Sequence, residues 1–212
     1  MMSSAPIPSD DSGPALPDRA ATRAAGRPRD QRIDDAVLAA TAELLEEVGY
    51  ARLSIAAVAN RAGTHKPAIY RRWPSKAQLV HEAAFPDDGT AFIPDTGDLR
   101  DDLTSMVRGA VELFARPVVR AAVPGLLAEF ATDPDLHGRL LERVSDQVWG
   151  AMRDRVAIAT DRGELRPGVD SSVVLELVGG AALMALLTRA PDDLAEPWVQ
   201  STVSVLMEGI AA

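Results

Sequence analysis

The 212-residue sequence holds few groups able to do covalent or metal chemistry. Its histidines are His65, His81 and His137, and none stands at a metal-binding or triad-like spacing. His81 and Glu82 are neighbours, so on a helix they diverge and do not make a paired site. There is no cysteine, which removes disulfides, thiolate ligands and a cysteine nucleophile. No Gly-rich phosphate loop is present. Neither an enzyme, a metal site nor a cofactor is expected. The sequence instead concentrates groups suited to a polyanion: Lys66, Arg71, Arg72 and Lys76, with Tyr70 among them. A helix that reads DNA presents a short polar face to base edges while its other face packs on the preceding helix. In the run from Ala62 to Lys76, Ile69 and Trp73 are the packing residues. Thr64, His65, Lys66, Pro67, Ala68 and Tyr70 fall at the exposed amino-terminal end. Tyr70 can pack its ring and direct its hydroxyl at a phosphate.

The charge distribution agrees with that reading, although the average does not. The formal net charge is −9. Residues 1–18 carry three Asp and no base. Residues 19–86 carry eleven Lys/Arg against seven Asp/Glu, a net of +4, and residues 87–212 carry −10. Affinity for a polyanion follows local charge, so a basic third joined to an acidic remainder points to two tasks in one chain. Hydrophobic residues make up 47% and charged residues 25%, the balance of a folded chain. The longest apolar run, Val173 to Leu187, contains Glu176 and two glycines and falls short of the roughly 20 residues of a membrane span. The first eighteen residues lack a cationic start and an apolar block, so no signal peptide is read there. A soluble cytoplasmic protein with no membrane association is expected.

The elements that position these residues are helices. Residues 1–28 read as a disordered arm, polar and Pro-rich. Its basic end, Gly26-Arg27-Pro28-Arg29, resembles arms that enter a minor groove, although a tail adding weak electrostatics is the simpler reading. A helix is expected from Asp30 to Val48, with Ile33, Val37, Leu44 and Val48 in one stripe and Gly49 past its end. Ser54 caps a second helix to Ala62, broken at Gly63. A third runs from Thr64 or His65 to Arg72, with Pro67 in its first turn, and Ser75 caps a fourth through Ala84. Two short helices joined by a Gly turn beneath a longer one form a helix-turn-helix unit over residues 29–84. Residues 85–97, with Pro86, Gly89 and Pro94, read as a linker. Five more helices are expected over 98–212: Asp98–Ala115, Val118–Thr132 with a kink or break at Pro124, Asp135–Arg162, Asp170–Arg189 and Glu196–Ile210. The fourth of these is apolar almost all round, as a helix buried on several sides would be. The fold class is all-α.

At this point the residues resemble the tetracycline-repressor family of bacterial regulators. The run Ile69-Tyr70-Arg71-Arg72-Trp73-Pro74-Ser75-Lys76 is similar to that family's apolar-Tyr-x-x-aromatic-x-Ser-Lys signature. The resemblance covers residues 30–84; from 98 to 210 it is a matching order of helices. It implies DNA contacts at Lys66 and Tyr70 on the recognition helix, and phosphate contacts at Ser54 and Lys76. One departure is plain. Thr64-His65 stand where the family commonly has a small apolar residue and then Ser or Thr, which leaves the cap of the third helix open by one residue and offers His65 as a base-reading group.

The resemblance also implies a ligand pocket in the acidic half. The large side chains there are Met106, Phe114, Phe130, Trp149, Met152, Met184 and Trp198, and a pocket they line suits an apolar or aromatic molecule. It implies further a homodimer through the last two long helices, where Gly179-Gly180-Ala181-Ala182 allows close approach. Two readings follow. One is a homodimeric regulator, a repressor released from a palindromic double-stranded operator by a small molecule, with the helix from Ser75 to Ala84 as the lever. The other is an all-helical small-molecule or protein-binding module whose helix-turn-helix only packs.

Overall fold

The computed structural model describes residues 27–86 and 93–210; of 27–30, 134–147 and 191–192 it describes the backbone course only. The helices among them are α1 (Arg27–Arg52), α2 (Ile55–Arg61), α3 (Lys66–Tyr70), α4 (Lys76–Ala84), α5 (Leu99–Ala115), α6 (Pro117–Phe130), α7 (Pro134–Asp161), α8 (Ser171–Thr188) and α9 (Glu196–Ile210). A 3₁₀ turn, Pro191–Leu194, that the sequence did not signal precedes α9. The all-α class is as read from the sequence, and no β-strand occurs among the described residues.

Local chemistry explains most boundaries. Ser54 Oγ accepts the Ala57 N–H, and Ser75 forms a reciprocal capping box with Gln78, so α2 and α4 start where those hydroxyls stand. Asp98 caps α5 through the Asp101 N–H. Most ends fall within two residues of expectation, and α1 differs at both of its own. Helix α1 starts at Arg27, which brings Arg27 and Arg29 into its first turn instead of an extended arm; residues 1–26 lie outside the described residues. At Gly49 the backbone turns to φ 72, ψ 168, a region open essentially to glycine alone, and helical geometry then resumes to Arg52. Helix α6 passes through Pro124 without a break. The proline ring sits on an exposed face, where the carbonyl one turn earlier can turn to water.

The side chains gather into two cores. The first joins Val37, Leu44 and Leu45 of α1, Val58 of α2, Ile69 of α3 and Leu79 and Val80 of α4. To these α6 adds Val118, Val119, Ala122, Val123 and Leu126. The second joins α5, α7, α8 and α9 around Leu103, Val107, Met152, Val178 and Val203. Helix α6 therefore completes the core of the amino-terminal helices, although a linker separates them in sequence.

Helix α8 departs from its reading as a helix buried on several sides. Its 18 residues have a mean hydropathy of 1.8, which meets the length and composition of a short membrane span, yet only 22% of them are buried. Val173, Leu177, Met184 and Leu187 stand exposed, as does Val205 on α9. The apolar pattern is as expected and the burial is not: within the single chain that face stays open.

Candidate nucleic-acid interface

The turn between α2 and α3 is built by one glycine. Gly63 adopts φ +64, its N–H donates to the Asn60 carbonyl, and the Thr64 N–H donates to the Ala59 carbonyl. This pair of bonds closes the end of α2 in a Schellman motif. A Cβ added at Gly63 would meet nothing within 4 Å, so the need for glycine is conformational, not steric. Helix α3 then starts with His65 as its cap: His65 Nδ1 accepts the Ala68 N–H at 3.1 Å. The open choice between Thr64 and His65 is thus resolved for His65. With Nδ1 accepting, the neutral ring carries its proton on Nε2 and presents a donor outward.

Helix α3 has two faces. Ile69 is buried and Trp73, just beyond the helix, is buried with its Nε1–H donated to Glu82 at 2.9 Å, so both are packing residues as expected. His65, Lys66, Pro67, Tyr70 and Arg71 are exposed, and Thr64 is half-buried. Ala68 is the correction. It is 8% exposed and its methyl turns inward beside Ile69, because its position falls on the packing face of the turn that Pro67 starts. Ser54 is exposed; its oxygen accepts a backbone N–H and its hydroxyl proton stays available for a phosphate.

The two arginines separate. Arg72 pairs with Asp34 of α1 at 2.5 Å, whereas Arg71 points outward. Arg61 holds α2 on α1 by two bonds to Glu47, at 2.6 and 2.9 Å. The Arg61 guanidinium in turn keeps the Glu47 carboxyl below its ordinary range.

Lys76 lies differently from a free surface cation. Its Nζ donates to the Tyr50 carbonyl at 2.6 Å and sits 4.1 Å from the centroid of the Tyr50 ring. Burial holds its ammonium below the usual lysine range, with the Glu129 carboxylate acting against that. Tyr50 itself donates its hydroxyl to Glu129 of α6. Burial first, and then that carboxylate, push the phenol well above its ordinary range, so it remains a donor. Tyr50 and Glu129 were not singled out from sequence. A signal was available in Gly125, a glycine inside a helix where alanine is the better former.

The acidic half contains a buried ion cluster that sequence reading also missed. Arg155 of α7 donates Nε to Asp102 of α5 at 2.5 Å, and Glu164 and Asp95 lie 3.6 and 3.8 Å from its guanidinium. The other Asp102 oxygen accepts the Thr96 N–H and hydroxyl at 2.9 and 2.8 Å. This ties the chain entering α5 to α7.

The residues expected to line one ligand pocket do not converge. Met106 and Met152 are packed in the second core, Phe130 edges the first, Trp149 is half-buried on α7 and Met184 is exposed on α8. Trp198 borders an open cleft of about 310 Å³ between α8 and α9. Phe114 lines a cleft of about 130 Å³ with Arg120, Val123, Pro124, Leu183 and Leu187. Large apolar side chains mark core and ligand sites alike, and packing took most of these.

Comparison with known proteins agrees with this architecture. Residues 37–83 match the family model for bacterial regulatory proteins of the tetR family, and residues 93–206 match that for the tetracyclin repressor-like C-terminal domain. An uncharacterized HTH-type transcriptional regulator of Mycobacterium tuberculosis is 34% identical over 199 residues, spanning 90% of this chain and 94% of that protein. The DNA-binding transcriptional repressor TetR of Mycobacteroides abscessus is 29% identical, spanning 75% of this chain and 90% of its own length. Among solved structures, the TetR family transcription regulator SCO0332 superimposes with a TM-score of 0.63 at 31% identity, covering 85% of this chain and all of that one.

Proposed function

The chain belongs to the TetR family of bacterial transcriptional regulators, and on that premise we propose that it is a homodimeric repressor that leaves a palindromic operator when a small apolar or aromatic molecule binds. The observation that carries the DNA reading is the two-faced α3: Ile69 turned inward, with His65, Lys66, Pro67, Tyr70 and Arg71 turned outward. In this reading Lys66 and Tyr70 contact DNA in the major groove, His65 offers Nε2–H to an acceptor, and Ser54, Arg71 and Lys76 hold phosphates. Thr64 and Pro67 border the same surface.

The dimer reading rests on α8 and α9. Their exposed Val173, Leu177, Met184, Leu187 and Val205 are apolar, and Leu177 and Val205 line the 310 Å³ cleft. A second copy of that face would cover it, as a two-fold interface requires. Each recognition helix would then enter one half-site, with centres roughly 34–36 Å or a multiple apart. For the ligand, the Phe114 cleft sets Arg120 beside an otherwise apolar wall, which suits a molecule with an apolar body.

The test is selection from a pool of random duplex DNA at stated salt, followed by sequencing, with Lys66→Ala and Tyr70→Ala beside the parent protein. Recovery of a palindrome that both variants lose supports the regulator reading. Enrichment of nothing above background leaves a helical binding module whose helix-turn-helix only packs.

A further inference from the structure

Three elements meet at Tyr50. It follows Gly49, whose non-helical backbone kinks α1 just before it. Its ring lies on Gly125 of α6 so closely that a Cβ added there would overlap the ring carbons. Its hydroxyl is bonded to Glu129, one turn further along α6. Its other side carries the ammonium of Lys76, the first residue of α4, held by both the carbonyl and the ring face. The three atoms nearest to such a Cβ all belong to Tyr50, and Gly125 is helical, where alanine would favour the helix by roughly 1 kcal/mol. The missing methyl is the space that Tyr50 occupies.

We propose that Tyr50 is a positioning residue for Lys76, and that Gly125 is where α6 acts on it, so that the Lys76 phosphate contact depends on where α6 stands. This rests on the DNA-binding reading given above. A lysine has four rotatable side-chain bonds and loses much freedom when it is fixed on a phosphate. The Tyr50 ring and carbonyl remove part of that freedom beforehand, leaving the remaining ammonium protons for DNA. A shift of α6 that displaces Tyr50 takes away both supports at once. Lys66, on α3, has no such link to α6 and is the internal reference.

Two measurements on the full chain test this. The sequence contains only two lysines, Lys66 and Lys76, so ¹³C-lysine labelling yields two sets of side-chain signals. The Lys76 methylene next to Nζ, lying over the Tyr50 ring, should be displaced upfield. Gly125→Ala should return it toward the position of Lys66, whose own signal stays unchanged. The second measurement is binding to a duplex recovered from the random pool, as a function of salt. Gly125→Ala should flatten the slope of log affinity against log salt by about 0.9 for each phosphate that Lys76 no longer neutralises, about 1.8 for a dimer. In a Lys76→Gln background the same substitution should change nothing further. Tyr50→Phe, which frees the ring from Glu129 without steric load, should act in the same direction and guards against a misfolded alanine variant.

Equal losses from Gly125→Ala with and without Lys76 would overturn the proposal, as would a Lys76 signal that Gly125→Ala leaves in place. If the parent protein enriches no duplex, the regulator reading fails and the phosphate role of Lys76 falls with it. The labelling result would still report whether α6 and Lys76 are linked.

Discussion

Replacing Arg155 by methionine should be among the most damaging single changes outside the DNA face. Methionine keeps the apolar stem of arginine, ends near the position of Nε and removes the charge. What remains is Asp102, fully buried, with Glu164 and Asp95 close by and Arg162 still facing that pair. Breaking a buried ion pair on one side costs about 3–5 kcal/mol, because the surviving charge stays out of water. Two features place this case at the lower end. Asp102 keeps two bonds from Thr96, and it sits in the first turn of α5, where the helix dipole favours an anion. The expected loss is therefore about 3 kcal/mol, or about 6–12 °C in thermal midpoint for a chain of this size. Circular dichroism at fixed protein concentration measures it; concentration is held because the proposed association would contribute to apparent stability. The decisive comparison is Arg155→Met with Asp102→Asn. Asparagine still accepts from Thr96 through its carbonyl but carries no charge, so the double variant should be more stable than Arg155→Met alone. Among the described residues two of the guanidinium nitrogens have no hydrogen-bond partner, so the double variant gives up fewer bonds. A double variant weaker than the single one would refute the reasoning, since the damage would then come from poorer packing and not from a stranded carboxylate.

Other expectations are shorter. Gly63→Ala forces a non-glycine residue into φ +64 and should cost about 1 kcal/mol in stability by chemical denaturation, with a larger proportional loss of DNA binding because α3 is re-aimed. His65→Ala removes the cap of a five-residue helix and should weaken DNA binding, whereas His65→Asn, which caps equally well, should recover whatever part of the loss is due to the cap; the difference between them in a binding titration isolates the outward Nε2–H. Because the Tyr50 hydroxyl is raised in the folded chain, the unfolded chain ionises first as pH passes about 10. Stability should then fall with rising pH above that point, and denaturation across this range should show a shallower fall for Tyr50→Phe. Val205→Glu places a charge on a residue 67% exposed in the single chain, so it should leave the fold intact while sedimentation beside the parent protein reports a loss of the proposed dimer.

Where signals were local, the sequence was readable almost to the residue. Ser54, Ser75 and Asp98 cap helices because each offers an oxygen to a nearby N–H, and that depends on no distant part of the chain. The bounds of α9 match because Val199, Val203, Leu206 and Ile210 repeat at helical spacing and are all buried. What the sequence left unseen depended on long-range placement. The linker at 85–97 gives no sign that α6, beyond it in sequence, packs on α1 and α4. Ala68 was placed outward by its neighbours' chemistry, and one residue of helical rotation turns it inward. The ligand residues were chosen for size, a property that core and pocket share. Asp102 and Arg155 lie 53 positions apart, and neither carries a mark in sequence of its partner.

Under the proposed function, this shared core gives a ligand signal a route other than the linker. Helix α4 is the lever expected from the sequence because it joins both domains. In the structure α6 packs on both α1 and α4, so it reaches the DNA-binding helices without passing along the linker. The Phe114 cleft is bordered on α6 by Val123 and Pro124, and Gly125, the seat of Tyr50, is the next residue. Residues two apart on a helix differ by only about 3 Å along its axis. An occupant that displaced Val123 would therefore displace Gly125 by nearly the same amount, since a packed helix moves as a unit. Such an occupant lowers DNA affinity only to the extent that it binds the displaced arrangement more tightly. The same coupling requires that operator DNA weaken the occupant's binding by an equal factor, so ligand affinity measured with and without the duplex tests this route from its other end.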